Sequence, residues 1–286
     1  MERRNPFIHL DPYALPSEGN RPLEICLVRG QGIESRHRVH VLALDSQFRE
    51  VHRWGDSEFS FFPRSAVKMM QAAAWVSRGV LDKASLTAEE LALACSSHHG
   101  EPDHIQAVQG WLRKIGAQED CLECGIHFPY HEESERALLR SGHEPSQIHN
   151  NCSGKHTGFL AFCRVCGWDF QGYSNYDHPV QAAIRETLGE FFGLEISQAS
   201  WGIDGCGIPT YRVSLESMAR AAAKLASPGL LRPELAEAVR ILNSAIASNP
   251  RFIGGTNSFC SKVVSETEGR VFAKLGAEGE IGRAHV

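Results

Sequence analysis

The sequence predicts a single α/β domain, an antiparallel sheet drawn from both chain ends with a helical lobe inserted between them. Three observations carry the prediction. β-branched, alternating segments cluster near the start, helical spacing takes over at Pro63, and a strand pattern returns after Pro250. Of 286 residues, 42% are hydrophobic and 22% charged, a globular balance with enough apolar surface for a sizeable core.

In chain order, "LEICLVRG", "SRHRVHVLALD" and "FREVHRWG" are separated by short Gly- or Asp/Ser-containing breaks and read as an antiparallel meander. Helical spacing follows in "SAVKMMQAAAWVSRG" and "EPDHIQAVQGWLRKIG". In the second, Ile105, Val108, Leu112 and Ile115 share a face, Pro102 suits the first turn and Gly116 the stop. "DHPVQAAIRETLGEFFG" is expected to start at an Asp177 cap and stop at Gly193, and "SLESMARAAAKLAS" is capped by Ser214. "PELAEAVRILNSAIAS" repeats Leu235, Val239, Leu242 and Ile246 on one face, and "GRVFAKLG" restores the strand pattern. With no repeat or low-complexity linker, residues 1–279 are expected to form one domain.

The net charge is −5 and the basic residues are scattered, so the chain lacks the stripe that neutralises a phosphate backbone and nucleic acid is not an expected partner. "MERRNPFIHLDPYALP" breaks its apolar stretch with His9, Asp11 and prolines, unlike the core of a signal peptide, and no run approaches membrane-spanning length. Nine cysteines, an odd number, read as reduced thiols or metal ligands, which points to the cytoplasm. "EIGRAHV", residues 280–286, is what a common sequencing adapter encodes in frame and is expected to be a non-native tail. Finding its codons in continuous genomic DNA would remove that expectation.

In "FPRSAVK", Ser65 and Lys68 stand three apart at a helix start, the S-x-x-K spacing of penicillin-recognising enzymes. Such a lysine accepts the serine proton only as a neutral amine, with its pKa lowered from about 10.4 to roughly 7 or 8. The bland alternative is a helix-start serine with a solvated lysine. "CSSHHGEPDH" offers Ser97, a helix-entry residue or a second nucleophile, and "FAKLGAEG" offers Lys274 in a K-x-G pattern that is otherwise a strand end. Cys152 and Lys155 in "HNNCSGKH", Asp204 and Cys206 in "IDGCGIPTY", and Cys260 in "TNSFCSK" bring soft donors beside glycines. Thiolates bind zinc at about 2.3 Å, although free cysteine is more often a small buried hydrophobe. The pairs Cys121/Cys124 and Cys163/Cys166 have the internal spacing of a rival four-cysteine zinc site.

Together "FFPRSAVK", "ACSSHHGE", "CGIHFPY", "HNNCSGKHTGFL", "DHPVQ", "GIDGCGIPTY" and "FAKLGAEG", in this order, resemble the Rhizobium-type L-asparaginase family, asparaginase II. The resemblance implies a fold like serine β-lactamases and glutaminases, hydrolysis of L-asparagine to L-aspartate and ammonia, and a homodimer. It implies two pairs, Ser65 with Lys68 and Ser97 with Lys274, and zinc at Cys152, Lys155 and Cys206 with Cys260 nearby. Arg64, Asp204 and His156 match cleft-lining positions, where Arg64 suits an α-carboxylate and Asp204 an α-ammonium. One serine, Ser65 by preference and Ser97 otherwise, attacks the amide to form an acyl-enzyme that water hydrolyses. Leu275 departs from the small polar residue common in the family, and the family's further C-terminal strands are expected to be missing. Two other readings stay open: a glutaminase or broader Ser-Lys amidohydrolase, separated by comparing substrates, and a zinc-binding interaction module built on the four CxxC cysteines.

Overall fold

A computed structural model describes residues 18–277, 279 and 281–285; the N-terminal stretch read against a signal peptide and the ends of the expected tail, Glu280 and Val286, lie outside the described residues. Strands β1 (Leu23–Arg29) and β2 (Gly32–Val39) pair antiparallel, and β3 (Val41–Leu44) pairs with β4 (Glu50–Trp54). The long second segment therefore pairs backward over its first half and forward over its second, splitting at His40. There His40 Nδ1 accepts the Asp56 N–H at 2.9 Å and the ring stacks on Phe59 at 4.6 Å. Gly55, with φ 90°, is required at this contact, since a Cβ would lie 2.5 Å from His40 Nδ1.

After β5 (Ser60–Phe61), a tight 3₁₀ turn at Arg64–Val67 leads into α1 (Lys68–Val76), every residue of which is buried. A helix buried on all sides belongs at the centre of a domain. After it in the chain come α2 (Val80–Lys83), α3 (Ala88–Ala94), α4 (Pro102–Lys114), α5 (Glu132–Arg140), α6 (Ser153–Cys166) and α7 (Pro179–Phe192). The face expected for α4 buries Val108, Leu112 and Ile115 and adds Trp111, which meets Trp75 of α1 edge to face at 6.2 Å. At α7 the cap is His178 rather than Asp177. Pro179 takes the first helical position, which leaves His178 Nδ1 to accept the Val180 N–H.

Short strands β6 (Trp201–Ile203) and β7 (Pro209–Tyr211) pair with each other, and β8 (Val213–Ser214) pairs with β5. Helices α8 (Leu215–Ala226), capped by Ser214 as expected, α9 (Pro233–Ser248) and α10 (Phe259–Glu266) complete the lobe. Strands β9 (Val271–Leu275) and β10 (Ile281–His285) close as a hairpin.

The architecture is mixed α/β with small antiparallel sheets. The expected sheet common to both chain ends is not seen: the described strands form five two-stranded ladders, none joining the N-terminal strands to β9 or β10. A local hairpin closes a short loop at less entropic cost than a long-range pairing, and the ends meet instead through α8, which packs against both β3 and β10. Among the described residues, no helix is long and apolar enough to cross a membrane.

Candidate active site

The turn into α1 begins at Arg64, a non-glycine residue with φ 47°, a strained backbone of the kind that accumulates at functional sites. Ser65 follows, half-buried, and Lys68 opens the helix fully buried. A buried ammonium needs acceptors. Lys68 Nζ finds three, donating to the Ser96 carbonyl, to Ser97 Oγ at 3.0 Å and, at 3.5 Å, to the Asn151 carbonyl.

The segment from Ser96 to Glu101 has no regular structure, and other chain segments hold its backbone. Ser97 N–H donates to the Ile253 carbonyl, His98 N–H to that of Asn151 and His99 N–H to that of Gly254, at 3.1, 3.2 and 2.8 Å. Lys274, buried on β9, reaches Ser97 Oγ at 2.7 Å and the Leu275 carbonyl at 2.8 Å. The two lysines thus converge on one hydroxyl. The Ser97–Lys274 pair is present, whereas Ser65 and Lys68 are joined by the Lys68 backbone N–H donating to the Ser65 carbonyl, with no side-chain hydrogen bond between them among the described residues.

The second group is near enough for the Lys68 charge to act on Cys152. Cys152 caps α6, and Lys155 in its first turn donates to Cys206 Sγ at 2.9 Å. A hydrogen bond from the Cys152 thiol, opposed by burial and aided by the Lys155 charge, brings the Cys206 thiol down to about 5. Cys152 is pushed up to about 12 by that same hydrogen bond and by burial. Burial alone would lower Lys155, but Cys206, Cys152 and Asp204 outweigh it and raise it. These shifts favour the thiolate form on Cys206, with the proton kept by Cys152 and Lys155. Arg64 Nε donates to Asp204 Oδ1 at 2.7 Å; burial lifts the Asp204 carboxyl, while Lys155 and Arg64 hold it below the usual range.

As donors, Cys152, Lys155 and Cys206 fit a thiophilic ion once the thiol and the ammonium lose their protons. Among the described residues, no three His, Cys, Asp or Glu side chains gather to hold a metal, so the four CxxC cysteines form no such group. His156 lies wholly inside, Nδ1 on the Tyr173 hydroxyl at 2.6 Å, Nε2 without a partner, its pKa lowered by burial to about 3. Cys260 Sγ accepts the Leu275 N–H at 3.3 Å, on the Lys274 side.

A family model described as L-asparaginase II matches residues 25–285. The chain belongs to the L-asparaginase II family. Membership makes it an asparaginase-type amidohydrolase acting on a small molecule. A search of curated proteins returns no match.

For this asparaginase II chain, residue-by-residue reading of the sequence missed groups that only the fold brings in. Cys124, read as half of a CxxC pair, faces the thiol pair, and burial with the neighbouring Cys152 and Cys206 pushes it up to about 12. Cys95 lies buried beside Lys274 and Lys68, whose charges act against the burial that raises it to about 12. No local pattern marks either position. Glu101 closes the "ACSSHHGE" stretch and carried no assignment of its own.

Proposed function

We propose that this asparaginase II chain hydrolyses the side-chain amide of L-asparagine through an acyl-enzyme on Ser97. The observation that carries the reading is one hydroxyl oxygen held by the Nζ atoms of both Lys68 and Lys274. Two ammonium groups on one oxygen repel, which favours a neutral amine on one of them. Lys68 faces three acceptors, matching the three N–H donors of an ammonium. Lys274, the nearer of the two to Ser97 Oγ at 2.7 against 3.0 Å, is assigned as the base.

Lys274 takes the Ser97 proton as Oγ bonds to the amide carbon, and the Lys68 charge faces the developing negative oxygen. Lys274 then passes that proton to the nitrogen as the C–N bond breaks and ammonia leaves. Water, deprotonated in turn by Lys274, attacks the ester; aspartate departs and Ser97 regains its proton. The backbone N–H groups of Ser97, His98 and His99 are already engaged by carbonyls, so the oxyanion is assigned donors outside this loop. Arg64 and Asp204 are proposed to receive the α-carboxylate and α-ammonium. Cys152, Lys155 and Cys206 would hold zinc, which when bound supplies positive charge and ties the two loops together. All nine cysteines are unpaired, which supports a reducing, cytoplasmic setting. A homodimer is proposed from the family alone, for sedimentation to test.

The test is ammonia release, with an activated β-ester of aspartate used to trap the acyl-enzyme. Ser97→Ala is expected to abolish release, and mass spectrometry to place the adduct on Ser97. Ser65, after the strained Arg64, is the second reading. An adduct on Ser65, with activity surviving in Ser97→Ala, would overturn the assignment. Faster release from glutamine than from asparagine would favour the glutaminase reading.

A further inference from the structure

We infer that Glu101 is a positioning residue that sets the Ser97–Lys274 contact from behind, through the loop over residues 251–258 and the start of α10. The inference rests on the assignment of Ser97 as the reacting hydroxyl. Glu101 is 1% exposed, so its carboxylate is among the most deeply placed charges in the molecule. A buried carboxylate is tolerated when its lone pairs are satisfied by donors. Here Oε1 accepts the Thr256 N–H, and Oε2 accepts the Thr256 hydroxyl and Arg251 Nη2, each at 2.8 Å. Burial lifts this carboxyl, but Arg251 and Thr256 outweigh it and hold it below the usual range.

These donors come from the two ends of one short loop. Between them lie Ile253 and Gly254, whose carbonyls hold the backbone N–H groups of Ser97 and His99. Glu101 itself ends the Ser97 segment, so a closed ring of contacts runs from Glu101 to Arg251 and Thr256, through Ile253 and Gly254, and back to Ser97. His104 braces it from below: Nδ1 accepts the Glu101 N–H, and Nε2 lies 3.3 Å from the Arg251 carbonyl. Gly255 has φ 120°, and a Cβ there would lie 2.4 Å from Glu101 Oε1, so the loop is shaped to let the carboxylate in.

The same loop continues into α10, where Cys260 Sγ accepts the Leu275 N–H. Leu275 in turn offers its carbonyl to Lys274 Nζ. One loop therefore touches the serine through Ile253 and the lysine strand through Cys260, and Glu101 fixes its conformation. Glu101 reaches neither reacting group directly, which makes its role geometric. A shift of about 1 Å between a nucleophile and its base is enough to cost on the order of 100-fold in rate.

The experiment compares kcat and KM for asparagine in wild type, Glu101→Gln, Thr256→Ala, the double variant and Ser97→Ala, with thermal midpoints recorded for each. In Glu101→Gln the amide NH₂ must face a donor, so one side of the clamp opens; Thr256→Ala removes the hydroxyl contact from an exposed position and spares the interior. We expect Glu101→Gln to lower kcat about 10- to 100-fold and Thr256→Ala less. KM should stay within about twofold, as when only the transition state is affected, and the double variant should fall no lower than Glu101→Gln alone, because both act on one clamp. A folded Glu101→Gln with wild-type kcat, or additive losses in the double variant, overturns the inference. Should Glu101→Gln not fold, Thr256→Ala with an unchanged midpoint decides: a lowered kcat at constant KM supports the clamp and an unchanged kcat removes it. Activity retained in Ser97→Ala would instead sink the Ser97 assignment, a result distinct from failure of the clamp.

Discussion

Arg64 and Asp204 meet at 2.7 Å with the carboxylate 8% exposed and the guanidinium 27% exposed. Removing one partner of a largely buried pair leaves the other charge poorly compensated, at about 3–5 kcal/mol when both are fully buried and less when one reaches water. Asp204→Asn is therefore expected to destabilise the fold by about 1–3 kcal/mol, read from urea unfolding. If the pair also receives the substrate's α-groups, KM for asparagine rises more than kcat falls; an unchanged KM would detach this pair from substrate recognition. At this scale the S-x-x-K spacing and the glycine-flanked thiols were legible, because a nucleophile, a base and soft donors are unusual side chains at unusual spacing. Partner choice was not. Lys68 Nζ bonds to the hydroxyl of Ser97, 29 positions away in sequence, rather than to that of Ser65, and no local spacing encodes a contact that exists only after α1 and the 96–101 segment meet.

Helix α6 carries Cys152 and Lys155 to the site, and its depth depends on Gly154. A Cβ at that position would lie 2.6 Å from both Leu93 Cγ and the Leu93 carbonyl oxygen of α3. The carbonyl is backbone and cannot swing aside. In an exposed helix Gly→Ala gains about 1 kcal/mol from propensity, whereas forced overpacking costs about 1–3 kcal/mol, so the sign of the measured change discriminates between the two effects. Gly154→Ala is expected to lower the thermal midpoint, since α6 must back away from α3; a raised midpoint would mean that the helices do not pack this closely. Helices were the readable elements, because a 3.6-residue period is local and the Pro and Gly punctuation at Pro102, Gly116 and Gly193 marks their ends. The strands were readable as strands but not as partners: alternation fixes which face is buried and leaves open which edge it joins. Hence the expected meander resolves into two hairpins split at His40.

Over the whole molecule, the α/β class followed from where the two periodicities lie along the chain, while a sheet joining the ends needed long-range information that alternation does not hold. Even the segment read as a foreign tail contributes β10, since ladder hydrogen bonds use backbone groups common to nearly every residue. Burial on this scale sets the response to acid. His98 and His104 are fully buried and stacked at 5.2 Å, and His99 and His149 are partly buried; burial is the largest cause that holds all four below 6.5. His98 is lowered further by the charges of His104, Lys68, His127 and His99. Its ring is fixed as the neutral form, Nδ1 accepting the Gly100 N–H while Nε2–H donates to Ser153 Oγ at 2.8 Å. The sign follows from linkage: with folded pKa values depressed, the unfolded chain takes up protons first as pH falls through about 6.5, and stability is lost from there down toward the folded values. The urea midpoint is thus expected to drop steadily between pH 7 and pH 5, ahead of the lower window in which Asp204 and Glu101 protonate. His98→Gln preserves an acceptor and a donor without the titration, so it should be less stable than wild type at pH 7 and lose less on acidification, the two curves converging toward pH 5. A midpoint flat from pH 7 to pH 5 would mean that these imidazoles are not held neutral, and parallel curves for the variant and wild type would remove His98 from the acid response.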